Sequence, residues 1–369
     1  MAQIIDSIVK ININEAISTV STTSVNTIAM VGPATGQTAP DYLECSSAED
    51  AEVFGTSSIL YGMVASAFSQ AACPAKIVAI NADTFADALA AVKAAEDAHL
   101  DFYHIILKFP DDTTFPTATA FTSTNGWNSY LGGNFKLMHL ELDDTSDGYT
   151  TIKSLADSLI AASSDRVALY QHANTGDLAA SLCASRCALD SAKGTFAHKK
   201  VKNVTYDSYT KSDFDALTAK CINVYTVAAG EARVFMGATC GKKVTLDSTG
   251  ETAPASFIDN IVKDDWIRFN VQSKIYALLG EANDGNGVTY DDSGINAVGA
   301  AILQIFAKAA DTDHLYIMDG YSVDVKSYEY LKTNYAADVQ ARNLPLVKGR
   351  YARMNSIHTV KNVELVVTL

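Results

Sequence analysis

The sequence predicts an α/β fold in two parts: an α+β domain built from both chain ends, 1–24 and 245–369, and an α/β domain, 25–244, inserted between them. Three observations predict it. Strand-like and helix-like segments alternate from Thr27 to about Gly241, two long amphipathic helical patterns follow a polar linker, and both chain ends alternate with period two. The chain has 369 residues, of which 48 % are hydrophobic and 19 % charged, enough apolar matter for two cores.

At the N-terminal end Val9, Ile11 and Ile13 alternate with Lys10, Asn12 and Asn14, the pattern of a half-buried strand. A Ser/Thr-rich connector, STVSTTSVN, leads into strand Thr27–Val31. The alternation then predicts helix Ile59–Ala71, strand Lys76–Ile80, helix Asp83–Ala98 and strand Tyr103–Phe109. Residues Pro110–Asn134 carry so much Thr, Pro, Gly and Asn that they predict a long exposed loop. Strand Phe135–Leu142, helix Thr150–Ala162, strand Val167–Tyr170 and helix Asp177–Leu189 come next. INVYTVAAGEARVFMGATC predicts two strands around Gly230, and KKVTLDSTGET a linker.

Beyond the linker the period changes to that of a helix. Ala253–Leu279 carries Ile258, Val262, Trp266, Phe269, Tyr276 and Leu279 on a stripe, with Thr252 as cap, Pro254 in the first turn and Gly280 at the end. The GEANDGNGVTYDDSG loop follows, and Asp291, Asp292 or Ser293 starts a second helix striped by Ile295, Val298, Ile302, Ile305 and Ala309. Each stripe must be buried, and a sheet from Leu315–Val325 and the two termini is the expected surface. The chain finishes through a helix into a last strand, in which Val363, Leu365, Val367 and Leu369 alternate with Glu364, Val366 and Thr368.

The net charge is −14, from 28 Lys and Arg against 42 Asp and Glu, which disfavours nucleic acid as a direct partner. From Ala341 to Leu369 the balance reverses: Arg342, Lys348, Arg350, Arg353 and Lys361 stand against Glu364 alone. Such a tail suits an acidic neighbour, a second copy of the chain included, and equally a solvated surface strand. No basic leader opens MAQIIDSIVKININE and no apolar run reaches the roughly 20 residues of a membrane helix, so neither signal peptide nor membrane insertion is expected. Cys45, Cys73, Cys183, Cys187, Cys221 and Cys240 are scattered and read as thiols rather than a disulfide framework.

No catalytic, cofactor-binding or metal-binding residue is expected. VGPATGQT lacks the Lys–Ser/Thr of a phosphate loop and reads as a turn. Cys183 and Cys187 share a helix face without a second ligand pair, and EANDGNGVTYDD lacks calcium-loop spacing. His104 and His139 lie in or beside predicted strands, where they stand to meet in space.

Three segments together resemble the tail sheath proteins of contractile phage tails and related injection machines. MVGPATGQTAPDYLECSSAEDAEVFGTSSILYGMVASAFSQ resembles the sheath N-terminal region, with Phe54 and Gly55 at its Phe-Gly landmark. FIDNIVKDDWIRFNVQSKIYALLG with VTYDDSGINAVGAAILQIF resembles the helix pair of the sheath core, Trp266 and Gly294 included. DGYSVDVKS with QARNLPLVKGRYARMNSIHTVKNVELVVT resembles its closing strands, with Arg342, Pro345 and Ser356–His358.

The resemblance implies an inner core domain from both chain ends, an outer inserted domain facing solvent, and a homo-oligomer of stacked rings or a helix around a tail tube protein. It also implies baseplate and tail terminator partners, a place in a virion tail assembled in the host cytoplasm, and contraction without a cofactor. On this reading Val9, Ile11, Ile13, Val363, Leu365 and Val367 are inter-subunit strand arms that add to a neighbour's sheet. Arg342, Lys348, Arg350, Arg353 and Lys361 are expected contacts to the tube or a neighbour. Two rival readings stand beside it: an α/β enzyme or small-ligand binding protein, and the sheath of a bacterial secretion or toxin-delivery system.

Overall fold

The computed structural model describes residues 24–36, 38–110, 116–241, 243–245, 252–254, 256–281 and 287–358. Its first part runs β1 (Ile28–Gly32), β2 (Tyr42–Cys45), α1 (Ile59–Phe68), β3 (Ile77–Asn81), α2 (Phe85–Asp97) and β4 (His104–Lys108). It continues with α3 (Ala118–Thr122), α4 (Trp127–Asn134), β5 (Leu137–Leu142), α5 (Thr150–Ala161), β6 (Val167–Gln171) and α6 (Leu178–Ala188). Then come α7 (Lys211–Thr218), β7 (Asn223–Ala228) and β8 (Glu231–Phe235).

These strands form one 8-stranded sheet in the order β2-β3-β1-β4-β5-β6-β7-β8. Its centre is parallel, and the two edge strands β2 and β8 run antiparallel to their neighbours. Parallel strands need both faces covered, which is why β1 reads as one buried run. Alternation sends Ile28 and Met30 to one core, with Leu60 and Met63 of α1. Ala29 and Val31 go to the other, with Phe85 and Val92 of α2. Ser58, Thr84 and Thr210 cap α1, α2 and α7 by accepting from backbone N–H groups.

The second part holds the hairpin β9 (Lys243–Thr245) and β10 (Thr252–Pro254), the long helix α8 (Ile258–Glu281) and α9 (Asp292–Ala310). After these come β11 (Ser322–Asp324), α10 (Tyr328–Asn334), α11 (Ala336–Gln340) and β12 (Lys348–Arg350). Asp291 caps α9 by accepting from Gly294 N at 2.9 Å. A Cβ on Gly294 would lie 1.9 Å from the Thr289 carbonyl oxygen, so this landmark glycine permits the loop to close on the helix. Gly55 is likewise required, at φ 92° beside the buried Phe54. Helix α9 has the length and hydropathy of a membrane span, yet it buries Ile295, Val298, Ile302, Ile305 and Ala309 within the protein. Ile258, Val262, Val298 and Ile302 join the same apolar core as Met30 and Ile106: α8 meets the large sheet through Tyr103, and α9 packs on α8 and β11.

Four expectations are corrected. The described part of Pro110–Asn134, from residue 116 on, is no exposed loop: it folds into α3 and α4, which bury Phe121, Trp127 and Leu131 in the core shared with α2. The long helix begins at Ile258 rather than Ala253, because Thr252–Pro254 pairs with Lys243–Thr245 and turns the expected linker into a hairpin. Proline suits such a two-stranded edge, where no ladder donor is demanded of it. Gly280 lies inside α8 rather than after it. The sheet expected under the helix stripes reduces, among the described residues, to the pair β11–β12.

Candidate assembly surface

One turn of α8, Lys263–Trp266, points at three parts of the molecule. Asp265 accepts from Arg166 Nη1 and Nη2 at 2.7 and 2.8 Å and from the Tyr103 hydroxyl at 2.6 Å, fixing α8 to the large sheet. Burial, and next the Asp265 charge, hold the Tyr103 hydroxyl well above its ordinary pKa. Lys263 pairs with Asp259 at 2.6 Å and donates to the Met354 carbonyl at 2.8 Å. Asp264 accepts from Arg353 Nε at 2.9 Å, from Arg353 Nη2, and from the Tyr351 hydroxyl at 3.0 Å. Trp266 sets its ring beside His314, tilted, and Tyr316, edge to face, at 5.1 and 5.0 Å between centroids.

The C-terminal segment that Lys263 and Asp264 hold is one strand of a ribbon. Met318 N donates to Ala352 O and Met354 N to Tyr316 O, both at 2.8 Å. Further along, β12 pairs with β11 in the register Ser322↔Arg350 and Asp324↔Lys348. Gly349 lies so close to α9 that a Cβ there would meet Phe306 Cζ at 2.7 Å. Among the described residues β12 has no second strand partner, which leaves its outer edge open. The ribbon strand runs on to His358. There Thr195 Oγ1 and His358 Nε2 lie 2.8 Å apart, and His198 Nε2 donates to the His358 carbonyl at 3.1 Å. Ile357, just before it, is 82 % exposed.

The start of the described chain borders the same helix. Ser191 Oγ donates to Val25 O at 2.9 Å and Ser191 N to Asn26 Oδ1 at 2.8 Å. A cavity of about 280 Å³ lies between Ser24–Asn26 and Trp266, Phe269, Asn270 and Ser273 of α8. The neighbouring Asp190 accepts from the Tyr316 hydroxyl of the ribbon. Thus the segment that follows residues 1–23 is fastened to the Asp190–Ser191 turn, and the one that precedes residues 359–369 to α8 and to Thr195 and His198.

Of the sequence-predicted site residues, Arg342, Lys348 and Arg350 are exposed, Lys348 and Arg350 on β12 itself and Arg342 in a left-handed turn at φ 60°. Arg353 is held by Asp264. Val9, Ile11, Ile13, Lys361, Val363, Leu365 and Val367 lie outside the described residues. The sequence reading missed Lys263, Asp264 and Asp265; three consecutive charges inside an apolar-striped helix were the available signal. His104 and His139 do meet: His104 Nδ1 is 2.9 Å from His139 Nε2, and His139 Nδ1 is 2.9 Å from the Tyr170 hydroxyl. Burial lowers His104 to about 3, and burial together with His104 lowers His139 well below its ordinary value. Among the described residues no group of His, Cys, Asp and Glu is arranged to hold a metal ion.

No known family model matches the sequence, and no curated protein does. Solved structures do match. A chain of the anti-feeding prophage baseplate, determined by cryo-EM with 6-fold symmetry, superposes with a TM-score of 0.62 at 13% identity, covering 97% of this chain and 98% of that one. A chain of the anti-feeding prophage helical sheath in its contracted state gives 0.54 at 13% identity, again over 97% and 98%. A chain of the contracted baseplate gives 0.54 at 13% identity, over 97% of each. The fold of this chain is therefore that of these anti-feeding prophage chains, across nearly its whole length.

Proposed function

We propose that this chain, having the sheath-type fold, is a structural subunit of a contractile tail sheath. Copies polymerise as a homo-oligomer around a tail tube and contract to drive the tube through a target envelope. The observation that carries the reading is the agreement of fold along 97% of the chain with a subunit of a helical sheath. The open-edged ribbon supports it, because an unpaired strand edge is a template for a strand from another copy. In this reading the chain acts mechanically rather than as an enzyme, in a phage-tail-like assembly with a baseplate, a tube and a terminator. Residues 1–24 and 245–369 make the inner domain and 25–244 the outer one.

The strand arms proposed are Val9, Ile11 and Ile13 at one end and Val363, Leu365 and Val367 at the other. Arg342, Lys348 and Arg350 present positive charge beside the ribbon edge and are the proposed contacts to acidic neighbours or the tube, with Lys361 beyond them. Arg353, exposed as well, is the remaining proposed contact and also fastens the ribbon to α8. The test is sedimentation velocity on the purified chain and on Val366→Pro, which removes a ladder donor. Large species for the parent and a folded monomer for the variant are expected. A parent chain that stays monomeric at every concentration overturns the reading.

A further inference from the structure

We propose that the two edges of the 8-stranded sheet are complementary docking surfaces, the basic β8 edge of one copy seating against the acidic β2 edge of the next. The inference rests on the reading that copies polymerise, and names a contact between the outer domains that the strand arms do not supply.

At the β8 edge His198 N donates to Val234 O at 2.7 Å and Val234 N to Lys199 O at 2.9 Å. The segment carrying Lys199 and Lys200 therefore lies along β8, from which Arg233 also projects. This segment covers the strand, so the edge offers charged side chains rather than open ladder groups. Glu231 is the carboxylate at hand, and it is engaged by both Lys200, at 2.8 Å, and Arg233. Half-buried Lys199 has no carboxylate at ion-pair distance among the described residues, and burial, then Arg186 and Arg233, lower its pKa. Arg186 beneath is only 7 % exposed; it donates to the Asp190 carbonyl at 3.2 Å, and its Nε has no hydrogen-bond partner among the described residues. Asp190 and Asp259 offset part of this charge from within the chain, and an anion arriving at the exposed Lys200 and at Arg233 offsets more of it.

The opposite edge has the opposite sign. Glu44 sits on β2, and the 3₁₀ turn Glu49–Phe54 that follows carries Glu49, Asp50 and Glu52 with no base in its last turn. The one cation paired there is Lys76, 2.5 Å from Glu44. Val53, 44 % exposed, supplies an apolar spot between these charges. The two edges stand about 34 Å apart, from seven inter-strand steps of roughly 4.8 Å. Like-to-like association would set equal charges face to face, whereas head-to-tail association pairs them and repeats indefinitely as a ring or helix. On a chain of net charge −14, a positive edge also gives copies that otherwise repel a single favoured orientation.

The experiment compares wild type with Lys200→Glu/Arg233→Glu and with Glu49→Lys/Glu52→Lys, each variant checked for a native melting transition. Sedimentation velocity at low salt reads the concentration at which assemblies form. Each variant alone is expected to need at least about tenfold more protein than wild type. An equimolar mixture, in which one chain has two acidic edges and the other two basic ones, is expected to co-assemble near the wild-type concentration. Variants that assemble like wild type, or a mixture no better than its parts, overturn the edge contact while leaving the sheath reading intact. A wild type that never assembles overturns both.

Discussion

Arg353 of the ribbon and Asp264 of α8 meet through two hydrogen bonds, the one from Nε at 2.9 Å, across 89 residues of sequence. This pair and its neighbours Lys263 and Tyr351 decide where the C-terminal segment leaves the body of the protein. Asp264 is 12 % exposed at its side chain and Arg353 43 %. Losing Asp264 strands two donors, Arg353 and Tyr351, while losing Arg353 leaves Asp264 with Tyr351. Asp264→Ala is expected to cost about 2 kcal/mol and Arg353→Ala about 1 kcal/mol, the latter reduced by solvent screening. A double-mutant cycle by urea denaturation checks this, with a coupling of about 1 kcal/mol expected.

Asp265 joins α8 to the large sheet in a drier setting. Its carboxylate is 3 % exposed and holds Arg166 in a two-pronged pair. Asp265→Ala leaves a guanidinium without its counter-charge and is expected to destabilise the chain by about 3–5 kcal/mol. The same urea titration measures it, and a loss under 1 kcal/mol contradicts the role given to this pair.

Acid should weaken the fold through the buried histidines. His104 has its pKa lowered from 6.5 to about 3 and His139 is lowered too, so the unfolded chain binds more protons than the native one below pH 6.5. Their contribution is fully present above pH 6.5 and is lost as pH falls from there towards 3, at up to about 1.4 kcal/mol per unit for each histidine. Titrating carboxylates add to the loss, so the measurement is the difference in slope between wild type and His139→Gln from pH 7 to 5. A shallower slope in the variant is expected; equal slopes contradict the assignment.

Gly349→Val tests the seat of the ribbon on α9. Its Cβ would lie 2.7 Å from Phe306 Cζ, so the ring or the strand must shift. A cost of about 1–3 kcal/mol is expected. Amide hydrogen exchange at Met318 and Met354 should rise more than at β5 residues such as Leu140, because the disturbance is local.

The large sheet was legible because its strands are short apolar runs such as Ile105–Leu107 between helical patterns, and because parallel strands bury both faces. Helix α9 was legible from its stripe and its Asp291 cap. Helix α4 was hidden: Gly132 and Gly133 and the Thr-rich stretch before it speak for a loop, and only its burial of Trp127 and Leu131 overrides that propensity. Propensity misled again at Thr252–Pro254, where a cap-and-proline signature proved to be a strand fixed by its pairing with Lys243–Thr245. Among these exposed basic residues, charge alone did not show that Arg353 has a carboxylate partner on α8, 89 residues earlier. Contacts of that range follow from tertiary packing and leave no local trace.

The most direct measurement is negative-stain electron microscopy of the purified, concentrated chain. The account predicts hollow, striated cylinders with an empty lumen, built by copies of this one chain. Uniform small particles at every concentration, with no cylinders, would contradict it.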